Sequence, residues 1–463
     1  MSETTLAVRV QSVAQMRIII VGGGEIGFSL AQALALDHAV FVIDHAPDVG
    51  RRFEPLDVQF LLGTGTSAEV LSRAGIKTAD VLVGCTGLDE VNIVSCALGN
   101  RLGSPRTFCF VSREEFIGLA EEREGLAQFG IDHVVWPEAQ LAADIQRLIS
   151  APGALDAEEF AEGAVRLLEY RLDGASPIVG QRISALHLPH GSLIVAVRRG
   201  DEFFIPRGDS VLIEGDKVVI MGTPEAMRDV SRRITNYEEN GRPQRVTIVG
   251  GGDVGLRLAE GLDSDHQMDV IVIERNAARG ELVAARLRHS LVLNGDATDL
   301  ELLEAEGIGR SDVLVAVIDN DERNLLASLL GRQLGVRRII TRVSRRTNLR
   351  VFDQVGVDVA LSARGAAVAS VLHQIQGGAT RLLAVVEQGA GRVLELEVPA
   401  GYMARSLRNL EPPRNSIIGA IIRHGEVIVP RGSDRVEPGD RLIVFTTYAE
   451  AERVRNYFTT VNR

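Results

Sequence analysis

Cysteine is scarce in this chain of 463 residues, with Cys85, Cys96 and Cys109 the only three. They form no CxxC pair and have no histidine at metal spacing. Neither a disulfide framework nor a structural zinc site is therefore expected, and the usage suits a reducing compartment. Long apolar runs are missing as well: no stretch of 18 or more apolar residues occurs, which argues against a bilayer-spanning helix. Nor is positive charge in excess, since 50 Lys and Arg face 62 Asp and Glu for a net −12. Phosphate backbones need concentrated Lys and Arg, so no nucleic-acid partner is expected. The remaining composition, 45% hydrophobic and 24% charged, suits a soluble cytoplasmic chain of about two to four globular domains. The opening MSETTLAVRVQSVAQ has neither the basic start nor the apolar stretch of a secretory signal. Residues 1–15 are read as a disordered N-terminal extension or as an artefact of start-codon choice, since Met16 begins a strand pattern directly.

Glycine, by contrast, is concentrated where it has consequences. Met16 to Gly27 reads MRIIIVGGGEIG, and Arg245 to Gly255 reads RVTIVGGGDVG. Each is an apolar run entering Gly-x-Gly-x-x-Gly, with Gly22, Gly24 and Gly27 in one copy and Gly250, Gly252 and Gly255 in the other. The first glycine permits a tight turn and the second lets a pyrophosphate approach the backbone. The third allows close packing of helix on strand, so that the helix N-terminus faces the anion. One such triplet is weak evidence, whereas two in corresponding contexts indicate a duplicated nucleotide-binding chain.

The duplication extends well past the glycines. VFVID ends at Asp44 and VIVIE at Glu274; LLGTGTSAEVLSRAGIKTADVLVGCTGLDEVN is matched by LVLNGDATDLELLEAEGIGRSDVLVAVIDNDERN. Thr66 corresponds to Thr298, Asp80 to Asp312, and Asp89-Glu90-Val91-Asn92 to Asp321-Glu322-Arg323-Asn324. Short apolar strands alternating with helices indicate parallel sheets covered on both faces. Each half then ends in a turn-rich stretch with little helix, FFIPRGD at Phe203–Asp209 and VIVPRGSD at Val427–Asp434. The expected fold is α/β: two Rossmann-like doubly wound parallel-sheet domains, each followed by a small α+β module. The boundaries are 16–150 and 155–236 for the first pair, and 244–378 and 379–463 for the second. SAPGALDAEE and NYEENGRPQ are expected as linkers.

Candidate site residues follow from this frame. Asp44 and Glu274 lie roughly twenty residues after the first glycine, at the end of the second strand, where a carboxylate accepts the hydroxyls of an adenosine ribose and repels a 2′-phosphate. NAD(H) is accordingly favoured over its 2′-phosphorylated form. The bland alternative is a solvated acid at a strand end. Gly63-Thr64-Gly65-Thr66 and Gly295-Asp296-Ala297-Thr298 leave room beside adenine or ribose, with Thr66 and Thr298 also expected as helix N-caps. Thr64 against Asp296 marks a difference between the copies. Thr86, after the fourth strand, is placed to bond a phosphate or ribose, whereas its counterpart Ile318 is not. Arg342 ends the fifth strand of the second copy and suits a phosphate or a salt bridge; its counterpart is Phe110, with Arg113 three residues on. Asp89-Glu90 and Asp321-Glu322 read as a cap and first helical turn rather than a catalytic pair. Cys85 reads as an ordinary buried thiol near the ligand, and the repeated Pro-Arg-Gly at 206–208 and 430–432 as a turn. No catalytic or metal-ligating residue is assigned.

Taken together, these motifs resemble the Trk potassium-uptake regulatory subunits, the TrkA family of tandem RCK or KTN domains, from Met16 onward. The resemblance implies a peripheral protein at the inner face of the plasma membrane. It further implies a homo-oligomeric ring, a tetramer of tandem units, beneath a membrane-embedded Trk potassium translocation subunit. NAD(H), and ATP or ADP, would bind the Rossmann domains and gate that partner. Carried over by position, the first site would use Gly22, Gly23, Gly24, Glu25, Ile26 and Gly27 with Asp44, Cys85, Thr86 and Arg113. The second would use Gly250, Gly251, Gly252, Asp253, Val254 and Gly255 with Glu274, Asp296 and Arg342. The competing reading is an NAD-dependent dehydrogenase, which needs a general acid or base near the nicotinamide. His187, His190 and His424 are the candidates, and they are unmatched between the halves. An NADH-binding transcription factor lacks a basic recognition helix here.

Overall fold

A computed structural model describes residues 15–35, 38–103, 105–121, 125–235, 242–345, 348–375, 380–386 and 390–459. The expected extension at 1–15, apart from Gln15, and most of the expected linker NYEENGRPQ lie outside the described residues. The first α/β array comprises β1 (Arg17–Val21), α1 (Glu25–Leu34), β2 (Ala39–Asp44), β3 (Val58–Leu62), α2 (Ala68–Arg73), β4 (Val81–Gly84), α3 (Asp89–Gly103), β5 (Arg106–Phe110), α4 (Glu114–Glu121), β6 (His133–Val135) and α5 (Pro137–Ile149). Its strands are parallel in the order β3-β2-β1-β4-β5-β6. The central strands are covered on both faces, with Ile18, Ile19, Ile20, Leu82 and Val83 fully buried. That is why their sequence is a continuous apolar run without alternation.

A five-stranded antiparallel module follows: β7 (Asp156–Phe160), β8 (Val165–Arg171), β9 (Ser192–Arg199), β10 (Glu202–Phe204), β11 (Lys217–Gly222) and the helix α6 (Pro224–Thr235). The second half repeats the plan with β12 (Gln244–Val249), α7 (Asp253–Asp263), β13 (Met268–Glu274), α8 (Ala277–Arg286), β14 (Leu291–Asn294), α9 (Leu300–Ala305), β15 (Val313–Ala316), α10 (Asp321–Leu334), β16 (Arg338–Arg342), α11 (Leu349–Gln354), β17 (Val359–Leu361) and α12 (Ala363–Ile375). Its sheet order, β14-β13-β12-β15-β16-β17, is the same. The closing module holds β18 (Thr380–Val386), β19 (Gly391–Glu397), β20 (Arg405–Ser406), β21 (Ser416–Arg423), β22 (Glu426–Ile428), β23 (Arg435–Val436), β24 (Arg441–Thr447) and α13 (Ala451–Thr459). The two modules share one core, in which Val195, Val219 and Met221 of the first cluster with Val393, Ile443 and Phe445 of the second. Among the described residues no helix is long and apolar enough to cross a membrane.

Compact units do not follow chain order. One comprises Met1–Gln140 with Ala363–Ile375, and the other Leu141–Ser362 with Gln376–Arg463. In the first unit, Ala367, Val371 and Ile375 of α12 pack with Leu30, Ala31 and Leu34 of α1. The Arg106 guanidinium, at the start of β5, donates from Nη2 to the Ile375 carbonyl at 2.6 Å. In the second unit Arg338, at the start of β16, plays the same part for α5: its Nη1 donates to the carbonyls of Leu148 (2.6 Å) and Ala151 (3.1 Å), and its Nη2 to that of Ala154. Each sheet thus holds the last helix of the other half by a guanidinium on carbonyls at or just beyond its C-terminus, where positive charge also favours the helix dipole.

Two local expectations are corrected. SAPGALDAEE is not a free linker: Ala151 and Ala154 are buried and Asp156–Phe160 forms β7, paired with β8. Polar composition suggested a loop, but Arg338 gathers the backbone carbonyls of this stretch. Thr66 and Thr298 are not the N-caps. Ser67 accepts from the Val70 N–H and Asp299 from the Glu301 N–H, one residue further on. Thr66 instead donates its N–H to Thr64 Oγ1 (3.3 Å), and Thr298 bonds Asp296 through both N–H (3.0 Å) and hydroxyl (2.7 Å).

Candidate functional site

Both sheets reverse their strand order beside the first strand, so a crevice opens there at the carboxyl ends of the strands. The glycine loops line it. Gly22 has φ +113°, and a Cβ there would lie 2.9 Å from the Cys85 carbonyl. Gly250 repeats this with φ +106°. A Cβ on Gly27 would come within 1.8 Å of the Gly22 carbonyl oxygen, and one on Gly255 within 1.8 Å of that of Gly250. Gly24 and Gly252 are different: a Cβ on either would meet nothing within 4 Å. The middle glycine is thus the point where the loop backbone faces open space, while the outer two are dictated by the fold. α1 and α7 begin directly after these middle glycines, so no side chain caps their first-turn N–H groups. Ile26 and Val254 turn into the core, leaving only their backbone toward the crevice.

Asp44 and Glu274 stand opposite the loops. Asp44 Oδ2 accepts the Gly23 N–H at 2.7 Å and Oδ1 the Ala46 N–H at 2.9 Å. Glu274 does the same with the N–H groups of Gly251 (2.7 Å) and Asn276 (2.8 Å). The carboxylate therefore pins the loop, and its two oxygens keep further lone pairs for other donors. Glu25 forms an ion pair with Arg364 of α12 at 2.9 Å. Asp253 is paired with Arg279 at 3.0 Å, and Arg279 Nε also donates to the Gly251 carbonyl at 2.9 Å.

At the other wall, the side chain of Thr86 is already engaged. Its hydroxyl donates to Asn92 Oδ1 at 2.7 Å, its N–H to the same oxygen at 2.8 Å, and Asn92 Nδ2 donates to the carbonyls of Thr86 (3.1 Å) and Phe110 (3.0 Å). Asn324 bridges Ile318 and Arg342 through the same three bonds to backbone, without the hydroxyl. This fully buried asparagine ties the ends of two adjacent strands together, a role that the repeated Asp-Glu-x-Asn signalled but that reading it as a cap missed. Asp89 and Asp321 do lie in first helical turns. Their carboxylates, however, reach the loop after the fifth strand: Asp89 accepts from Ser112 and Arg113 N–H groups, and Asp321 from Ser344 N–H and Asn348 Nδ2. Burial works to raise the Asp321 carboxyl, but those hydrogen bonds outweigh it and hold the group below its ordinary range.

Cys85 lies in the core with its Sγ 3.7 Å from the Gly22 carbonyl, and burial, then Cys96 and Asp44, push its thiol up. It supports the glycine turn from beneath and presents no thiol to the crevice. Arg113 is held by Glu90, by Glu115 at 3.1 Å and more loosely by Asp89. Arg342 is paired with Asp319 at 2.9 Å. Asp296 makes two 2.7 Å bonds with Arg323. Burial opposes ionisation there, yet Thr298 and Arg323 together keep the carboxyl low. Where the second crevice has Arg275, Arg279, Arg323 and Arg342, the first has His45, Val49, Val91 and Phe110. His187, His190 and His424 belong to the small modules rather than to the loops around the glycine turns, and His190 contacts Arg431.

Fold and crevices define a class: a tandem Rossmann-type protein with two glycine-loop crevices in one chain, each backed by a strand-end carboxylate. The particular family emerges from comparison. The TrkA-N domain matches residues 18–137 and 246–363, and the TrkA-C domain residues 167–235 and 393–459. The Trk system potassium uptake protein TrkA homolog 1 of Methanosarcina mazei is 36% identical, over 96% of this chain and 100% of that protein. TrkA of Halomonas elongata is 31% identical, over 95% of this chain and 97% of its own. The chain belongs to the TrkA family. Its fold is shared by the GsuK RCK domain (TM-score 0.57, 20% identity, 96% of this chain and 95% of that one). The GsuK channel bound to NAD shares it likewise, with a TM-score of 0.58, 20% identity and coverage of 96% and 79%.

Proposed function

We propose that this chain is the nucleotide-sensing regulatory subunit of a Trk-type potassium uptake system, acting from the cytoplasmic face on a membrane-embedded translocation subunit and assembling as a ring. The observation that carries this reading is the pair of crevices in a TrkA-family chain, each with an open middle glycine and a carboxylate anchored to the loop. NAD(H) is the ligand best suited to a strand-end carboxylate, with ATP or ADP as further ligands. Gly22 to Gly27 with Asp44 and Thr86 would form the first site. Gly250 to Gly255 with Glu274, Asp296 and Arg342 would form the second, and Arg113 and Cys85 would support the first without touching ligand. The four segments 16–150, 155–236, 244–378 and 379–463 would be its domains, with the closing helices α5 and α12 exchanged. No catalytic role is assigned.

A sensor needs only a ligand that prefers one conformation, and coupling of roughly 1–3 kcal/mol shifts affinity 5–150-fold. Titration with NADH, NAD, ATP and ADP by calorimetry tests the reading, alongside Asp44→Ala and Glu274→Ala. Saturable binding, with each substitution removing a distinct fraction of sites, is expected. No binding of any of the four nucleotides would remove the sensing mechanism.

A further inference from the structure

A second cavity lies at the opposite end of the second sheet from its glycine loop. Gln244 and Met268 are the first residues of β12 and β13, while Asp312 and Arg337 immediately precede β15 and β16, and all four line it. In a parallel sheet these amino ends form one edge, and the glycine loop lies at the other. A strand as long as β12 separates the two by roughly 15–20 Å. The other wall belongs to the first module, through β8 and α6, and the stretch just after α5 contributes Ser150 to Pro152. The cavity measures about 530 Å³, within the range that small-molecule ligands occupy.

Its lining is rich in guanidinium groups, unusually for a chain of net charge −12: Arg166, Arg228, Arg232, Arg242 and Arg337, with His266. The acids among its lining are Asp265 and Asp312. Asp312 is spent on Arg242 Nη2 (2.8 Å) and the Arg245 N–H (2.9 Å). Arg232 pairs with Asp229 and Arg166 Nη2 with Glu159, but the Arg166 Nε is buried without a hydrogen-bond partner. Arg228 and Arg337 have no ion pair among the described residues. Two unneutralised guanidinium groups thus line one cavity from different elements, and a multiply charged anion bonded by both would neutralise them. Planar guanidinium forks suit phosphate oxygens in particular.

We propose that this cavity is an effector site for a small phosphate-bearing anion, distinct from both glycine-loop crevices. Held by α6 on one side and by the start of β16 on the other, the anion links the first module to the second Rossmann-type domain. Such a ligand stabilises whichever conformation keeps those walls together.

The test is calorimetric titration of the full chain with inorganic pyrophosphate and, separately, with ADP. The proteins are the parent, Arg228→Glu/Arg337→Glu and, as a crevice control, Asp44→Ala/Glu274→Ala. The expected result is saturable binding of at least one probe that weakens tenfold or more in the double charge reversal and persists in the crevice control. The probe that responds tells a free anion from a nucleotide as the source. Neither probe binding the parent, or neither weakening in the charge reversal, overturns the proposal. Both arginines are exposed and unpaired, so the variant should fold. Should it fail to, the single substitutions Arg228→Ala and Arg337→Ala carry the same test, each with a several-fold loss expected.

Discussion

The Arg338 guanidinium lies 2.6 Å from the carbonyl oxygen of Leu148, joining the first residue of β16 to the end of a helix 190 positions earlier in the chain. Only 8% of Arg338 is exposed, and burial lowers its pKa to about 10 although Asp358 pulls the other way. The guanidinium stays charged at neutral pH, and it adds a charged donor to the Leu148 and Ala151 carbonyls, each of which also accepts one backbone N–H. Arg338→Met should therefore cost about 2–4 kcal/mol in urea unfolding, because buried carbonyls lose a charged donor. Arg338→Lys should cost less. Arg106→Met, which loses one such bond, should have the smaller effect of the two methionine variants. Equal losses for Arg106→Met and Arg338→Met would contradict this ranking.

The glycines predict a sharp contrast within one loop. Gly255→Ala places a methyl 1.8 Å from the Gly250 carbonyl oxygen, a clash with backbone that should cost more than about 3 kcal/mol or abolish folding. Gly252→Ala meets nothing, and its φ of −66° suits any residue. Its melting temperature should match the parent. Its affinity for NAD should nevertheless fall about tenfold or more, since the methyl occupies the place where a pyrophosphate would approach the backbone.

Asn324 should behave as a brace rather than a ligand contact. Asn324→Ala strips partners from the Ile318 N–H and carbonyl and from the Arg342 carbonyl. A loss of about 2–3 kcal/mol is expected by chemical denaturation. Asn324→Asp keeps the acceptor but loses the donor, and should be no better tolerated. Native-like stability in the alanine variant would show that water replaces the side chain.

A pH dependence follows from Asp144, whose carboxyl is pushed up to about 6, chiefly by burial, with Arg147 opposing and Asp156 reinforcing. Its ordinary value is 3.8, so between that and about 6 the folded chain binds more protons than the unfolded one. Stability contributed by this group is accordingly lost as pH rises through that window. Glu158 is shifted in the same direction, by burial and then by Asp156. Asp144→Asn should gain on the parent in melting temperature between pH 4.5 and 6.5, by about 2 °C or more. A difference between the two that stays constant with pH would exclude this origin.

Much of this was readable from residues that act on their near neighbours. Positive φ at Gly22 and close approach at Gly27 are demands made within a few positions, so the motif announces them. The ends of β2 and β13 place Asp44 and Glu274 by strand length alone. Cap positions were off by one because Thr66 and Ser67, like Thr298 and Asp299, are both competent caps, and only backbone geometry chooses between them. SAPGALDAEE looked like a linker because polar and small residues say nothing of a distant guanidinium that will bind their carbonyls.

The sequence by itself determined the duplication, the alternation of strand and helix, the two glycine turns and their opposing carboxylates, since each depends on short-range spacing and side-chain size. Tertiary structure alone decided that α12 packs on α1 and that α5 from Leu141 onward belongs with the second sheet. It also decided that Arg106 and Arg338 seal those helices, that Asn92 and Asn324 tie strand ends, and that five arginines from four separate segments line one cavity. Such arrangements join residues far apart in the chain. Their energy comes from desolvated charges and backbone carbonyls meeting only once the chain has folded, and no local pattern encodes that meeting.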